Sequence, residues 1–118
     1  MSYQRADRVK VLIQQVASEI LRELKDPRLG FVTITDVELS GDLKHAKIFV
    51  SILGSDEEQK NTMEGLSSAT GFVRSEIGKR IRLRHTPEIV FKFDSSIERA
   101  IRIAQLLGQV KKEEKNIE

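Results

Sequence analysis

Between Leu66 and Ile81 the chain places apolar residues three and four apart, at Leu66, Ala69, Val73, Ile77 and Ile81, and sets Gly65, Gly71 and Gly78 among them. That spacing puts the five apolar residues on one face of a helix. At about 3.6 residues per turn, Arg74, Ser75, Gly78, Lys79 and Arg82 then face the other way. A helix that is greasy on one face and cationic on the other buries only one flank, so the rest of the chain must build a layer against it. Each glycine costs a helix interior about 1 kcal/mol relative to alanine. A kink is therefore expected at Ala69-Thr70-Gly71, re-aiming the basic half of the helix. At Gly78 the missing side chain lets another backbone come close, a phosphodiester one included.

The charge is placed rather than spread. From Arg74 to Lys92 there are six Lys and Arg against two Glu, a local balance of +4, while the whole chain carries +2 and the remainder therefore −2. A patch of this kind is the footprint of a polyanion-binding surface. On these residues alone the plainer reading is also open, in which the basic face is solvated and the glycines accommodate packing.

The 118 residues suffice for one core and one domain, spanning 1–108, with the charged stretch 109–118 expected as a disordered tail. No cysteine is present, which excludes disulfides, thiol nucleophiles and cysteine zinc sites and fits a reducing compartment. The early arginines are not followed by a signal-peptide apolar core, and no run reaches membrane-spanning length, so a cytoplasmic protein is expected.

In chain order, Ser2 can cap a helix whose apolar positions are Val9, Leu12, Ile13, Val16, Ile20 and Leu24, ended by Asp26-Pro27. Phe31–Leu39 reads as a strand whose alternation slips, which a bulge near Thr35-Asp36 reconciles. Ser40-Gly41-Asp42 is a turn, and Ala46, Ile48, Val50 and Ile52 share one phase of a second, antiparallel strand. Ser55 and Glu58 form a capping box for the central helix, expected to run to Pro87 in two pieces about the kink. Glu88–Phe93 is a third strand, joined to the second by a helical crossover. Ile97, Ala100, Ile101, Ala104 and Leu107 mark a closing helix stopped by Gly108. The order α-β-β-α-(kink)-α-β-α is a two-layer α+β domain, a three-stranded sheet with helices on one face.

No set of reactive groups assembles. His45 and His85 have no metal-ligand spacing and read as exposed turn histidines. No nucleophile elbow and no phosphate-binding glycine signature is present. Phe31, Phe49, Phe91 and Phe93 read as core residues rather than base-stacking ones. Neither an enzyme, a cofactor, a metal nor a small-molecule substrate is expected.

The segments Asp26-Pro27-Arg28-Leu29-Gly30, Val32-Thr33-Ile34-Thr35-Asp36-Val37, Ser40-Gly41-Asp42-Leu43, Ala46–Ser51, Ala69–Arg74, Gly78–Arg84 and Pro87–Phe91 resemble, in unbroken order, those of bacterial ribosome-binding factor A. The resemblance implies a type II KH domain whose usual Gly-x-x-Gly loop is replaced by an Ala-x-Gly kink, here Ala69-Thr70-Gly71. It further implies a monomeric, cytoplasmic, non-catalytic assembly factor. Such a factor binds the free small (30S) ribosomal subunit, contacts 16S rRNA and serves rRNA processing, late ribosome biogenesis and cold adaptation. Carried over by position, the RNA-binding surface comprises Arg74, Lys79, Arg80, Arg82 and Arg84, with Arg5, Arg8 and Lys10 as weaker candidates. The competing reading is a protein-binding adaptor with an incidental basic patch.

Overall fold

The structure, a computed structural model, describes residues 2–96, 101, 104, 105 and 107. Helix α1 spans Ser2–Glu23, strand β1 Phe31–Leu39, strand β2 His45–Leu53, helix α2 Asp56–Arg80 and strand β3 Glu88–Phe93. The sheet order is β1-β2-β3, with β1 antiparallel and β3 parallel to the central β2. Two helices on a three-stranded mixed sheet give the α+β sandwich that the periodicities call for.

Both layers meet in one core. α1 contributes Val9, Ile13, Ala17 and Ile20, α2 contributes Leu66, Val73 and Ile77, and the sheet contributes alternate residues such as Val37, Ile48, Val50, Ile89 and Phe91. In α1 the buried stripe takes Ala17 and leaves Leu12 at 43% exposure, because the strict four-residue step from Val9 through Ile13 fits the sheet better than the broader apolar arc. Ser2 lies inside the helix rather than capping it, and the helix stops at Glu23, short of Asp26-Pro27. The turn that follows is closed by Asp26, whose carboxylate accepts from the Arg28 backbone N–H at 2.9 Å and from its guanidinium at 2.8 Å.

The expected bulge is present, with the β1–β2 register shifting between Ile34 and Asp36. It returns Val37 to the buried phase of Ile34. The displaced Thr35 donates its hydroxyl to Asp94 Oδ2 at 2.7 Å, which ties the bulge to the end of β3. The Ser55–Glu58 capping box forms in full: the Glu58 N–H donates to Ser55 Oγ at 3.2 Å and the Ser55 N–H to Glu58 Oε1 at 3.3 Å. Phe31 and Phe93, both expected in the core, are 81% and 37% exposed at the ends of their strands.

The central helix departs from expectation twice. It is not divided at Ala69-Thr70-Gly71 but runs as one helix from Asp56 to Arg80. Leu66, Val73 and Ile77 are each fully buried on one face across Gly71, and a break there would rotate half of that stripe out of the core. This burial outweighs the roughly 1 kcal/mol helix cost of the glycine. It also stops at Arg80 rather than near Pro87, with Ile81 extended at φ −115° and ψ 128°. Past β3, Ser96, Ile101, Ala104, Gln105 and Leu107 are helical, and Ile101 and Leu107 are 47% and 58% exposed. The rest of the closing helix and the tail 109–118 lie outside the described residues. No helix among the described residues is long and apolar enough to cross a membrane.

Candidate nucleic-acid interface

Because α2 ends at Arg80, residues 81–84 alternate with a period of two. Ile81 and Leu83 turn toward the core while Arg82 and Arg84 are exposed. The non-helical segment after Arg80, turned by the Leu83 N–H donating to the Ile81 carbonyl at 3.1 Å, and not the helical spacing, thus displays both arginines. The loop then folds back along α2. Arg74 on the helix donates to the Thr86 carbonyl at 3.2 Å, and Pro87 is buried. Gly78 permits this contact, since a Cβ there would stand 2.7 Å from Thr86 Oγ1. The close approach expected at Gly78 is made by the protein's own loop, and the gap is not left for a phosphodiester. Gly65 does the same for the Arg28-Leu29 turn, where an added Cβ would meet Leu29 Cδ2 at 3.0 Å. At Gly71 an added Cβ would meet nothing within 4 Å.

Between α2 and this loop runs an open groove lined by Gly71, Arg74, Ser75 and Gly78 on one side and Arg84, His85 and Thr86 on the other. It continues to Lys44 and His45 at the start of β2 and to Glu88 of β3. The hairpin turn sets that end. Asp42 accepts from the Lys44 N–H at 3.0 Å, and Ser40 Oγ from the His45 N–H at 3.0 Å. Leu43 takes the left-handed conformation, φ 61°, to bring Lys44 round. The groove's lining includes one carboxylate, Glu88, 3.6 Å from His45 Nδ1.

The expected contact residues divide. Among the described residues neither Arg82 nor Arg84 has an ion-pair partner, and Lys79 stands 3.8 Å from Glu76 with its side chain 70% exposed. Arg80 is different. It meets Glu23 at 2.7 Å, Glu76 at 3.5 Å and Glu19 at 3.9 Å, joining the ends of the two helices. Its hydrogen bond holds the Glu23 carboxyl below the usual glutamate range, and the Arg80 guanidinium is raised in turn. Lys10 likewise pairs with Asp36 at 3.0 Å, bracing α1 against β1. Arg5 and Arg8 are exposed on α1 and do not line the groove. Of the expected kink residues, Ala69 packs against the core and the Thr70 hydroxyl donates to the Leu66 carbonyl at 3.1 Å.

Sequence reasoning passed over Lys44, His45 and His85, which the groove unites. The histidines are forty positions apart, and only the parallel pairing of His45 with Glu88 brings them to one end of the sheet. Chemically the groove gathers several cationic side chains, Lys44, Arg74 and Arg84, with two imidazoles and one carboxylate. Among the described residues no three His, Cys, Asp or Glu come together in a way that could hold a metal ion.

The comparisons with known proteins agree with this fold. The family model described as ribosome-binding factor A matches residues 5–107. The ribosome-binding factor A of Natranaerobius thermophilus is 56% identical over 117 residues, covering 98% of this chain and 89% of the relative. That of Halothermothrix orenii is 52% identical over 117 residues, covering 98% and 96%. A solution NMR structure of a Thermotoga maritima protein, described as a ribosome binding factor A, shares 46% identity at a TM-score of 0.70 over 80% of this chain and 91% of that one. A homology model of the Thermus thermophilus ribosome binding factor A, fitted into a cryo-EM map of its 30S complex, shares the fold at a TM-score of 0.62 and 24% identity, over 73% and 91% of the two chains. With the family match spanning nearly the whole described domain and identities above one half, the chain belongs to the ribosome-binding factor A family.

Proposed function

We propose that this chain is a cytoplasmic assembly factor that docks on the immature small ribosomal subunit by gripping phosphates of 16S rRNA in the groove between α2 and the 81–87 loop. There it promotes rRNA processing and late subunit maturation, in the cold above all. The observation that carries the reading is Arg84, exposed with no carboxylate partner among the described residues and lining one groove with Arg74 and Lys44, with Arg82, likewise exposed and unpaired among the described residues, two positions before it. Cations left unpaired on a rigid frame are available to polyanion without first breaking an internal salt bridge. The 30S complex of the Thermus thermophilus relative supports the same partner. Among the described residues no Phe, Tyr or Trp lines the groove, so affinity rests on phosphate-backbone contacts and shape more than on base reading.

The test is co-sedimentation of the Arg82→Glu/Arg84→Glu variant with purified small subunits. Binding is lost at moderate salt while the circular dichroism spectrum and melting temperature stay as in the parent. Arg80 is left intact because its carboxylate partners would confound folding with binding. Undiminished co-sedimentation of the variant would refute this placement of the interface.

A further inference from the structure

The chain has two histidines, and both lie in the groove. His45 opens β2 and His85 sits in the loop before β3, and with Lys44, Arg74 and Thr86 they enclose a hollow of about 310 Å³ at its end. From this convergence we infer that the hollow is a phosphate site of its own, in which His45 and His85 hold one nucleic-acid phosphate in their protonated form, so that RNA binding takes up protons. The inference rests on the function proposed above and assigns it two further ligands and a dependence on pH.

The charged and titratable groups facing the imidazoles come from every element around them. They are Asp42 and Lys44 from the hairpin turn, Arg74 from α2, Arg84 from the loop and Glu88 from β3. A phosphate seated among them supplies the missing negative charge. A hydrogen bond to it from an imidazolium N–H is charge-assisted and stronger than one from a neutral ring. By linkage, whatever favours the protonated rings in the complex makes the complex tighter as pH falls. Protonating both would raise the chain's formal charge from +2 to +4, with the whole increase inside the groove. The dependence is assignable because the chain has no cysteine, and the α-amino group, the other group whose ordinary range reaches neutral pH, is common to the parent and the double variant.

The experiment measures the dissociation constant for purified small subunits at constant ionic strength between about pH 8 and about pH 6, for the parent and for His45→Gln/His85→Gln. The parent is expected to bind at least about tenfold tighter at the acid end. The double variant is expected to bind more weakly than the parent at the acid end and to change less than about twofold across the range. In parallel, the imidazole proton resonances of both histidines are expected to shift on addition of a short RNA oligonucleotide, in the direction of protonation. Parent binding that is flat in pH, or a double variant that keeps the full dependence, overturns the inference and leaves the proposed function standing. An absence of parent binding at every pH overturns both. Imidazole shifts with inorganic phosphate but none with the oligonucleotide would show a site for a small phosphate ligand and also overturn it.

Discussion

The two flanks of α2 draw on similar residues and put them to opposite uses. On the flank facing α1, Arg80 is surrounded by Glu19, Glu23 and Glu76, and its charge is spent within the protein. On the flank facing the 81–87 loop, Arg74 donates to a carbonyl, Arg82 and Arg84 meet no carboxylate among the described residues, and Glu88 faces His45. Arg80 and Arg82 are separated by one residue, yet one is a brace and the other a free hand. A count of basic residues cannot tell these apart. Whether α2 continues or ends between them decides it, because the helix carries Arg80 toward α1 and the non-helical segment after it carries Arg82 away.

The glycines sharpen the contrast most. At Gly78 an added Cβ would sit 2.7 Å from Thr86 Oγ1, so Gly78→Ala must push the loop off the helix or rotate Thr86. The expected cost is about 1–3 kcal/mol, read by chemical denaturation, with weaker subunit binding because Arg84 moves with the loop. Adding Thr86→Ala removes the clashing hydroxyl and should recover most of the loss, and a double variant as unstable as Gly78→Ala alone would break the link between glycine and loop. Gly71→Ala has the opposite sign. With nothing within 4 Å, alanine gains helix propensity and should stabilise by about 0.5–1 kcal/mol. On the groove side that extra methyl should slightly weaken binding, since Gly71 lines it. A Gly71→Ala variant less stable than the parent would mean that the residue has a packing role the contacts do not show.

The smallest effect belongs to Arg80, whose partners are solvent-screened. Arg80→Gln should lower the melting temperature modestly at neutral pH and leave binding per folded molecule nearly unchanged. The pH dependence has a definite sign. The Glu23 carboxyl is held below its ordinary value of 4.5 by Arg80, so its contribution is present above that value and is lost as pH falls through the lowered one. The gap in melting temperature between parent and Arg80→Gln should therefore close on acidification. A gap that persists in acid would show that Arg80 acts by packing instead.

Much of the scaffold was legible because it follows from local rules. The slip in alternation between Ile34 and Val37 demanded a bulge, Ser55 and Glu58 announced a helix start, and the apolar stripe from Leu66 to Ile77 gave the buried face. The interface was legible in part. Arg82 was picked out from a helical spacing it does not have, and Arg84 from the family resemblance. The rest depended on long-range geometry. The helix runs through Gly71 because burial on the sheet outweighs a local cost, and Gly78 serves a loop eight residues on. Carboxylates at Glu19 and Glu23, some sixty positions away, reach Arg80. The same holds for His45 and His85, which read singly as turn histidines and meet only through the parallel register of β2 and β3.

The most direct measurement is the salt dependence of subunit binding for the parent beside Arg82→Gln/Arg84→Gln. If unpaired cations grip rRNA phosphates, log K falls steeply with log salt for the parent, and removing two contacts lowers the slope by about two. A parent slope near zero, or a slope the double variant leaves unchanged, would contradict it.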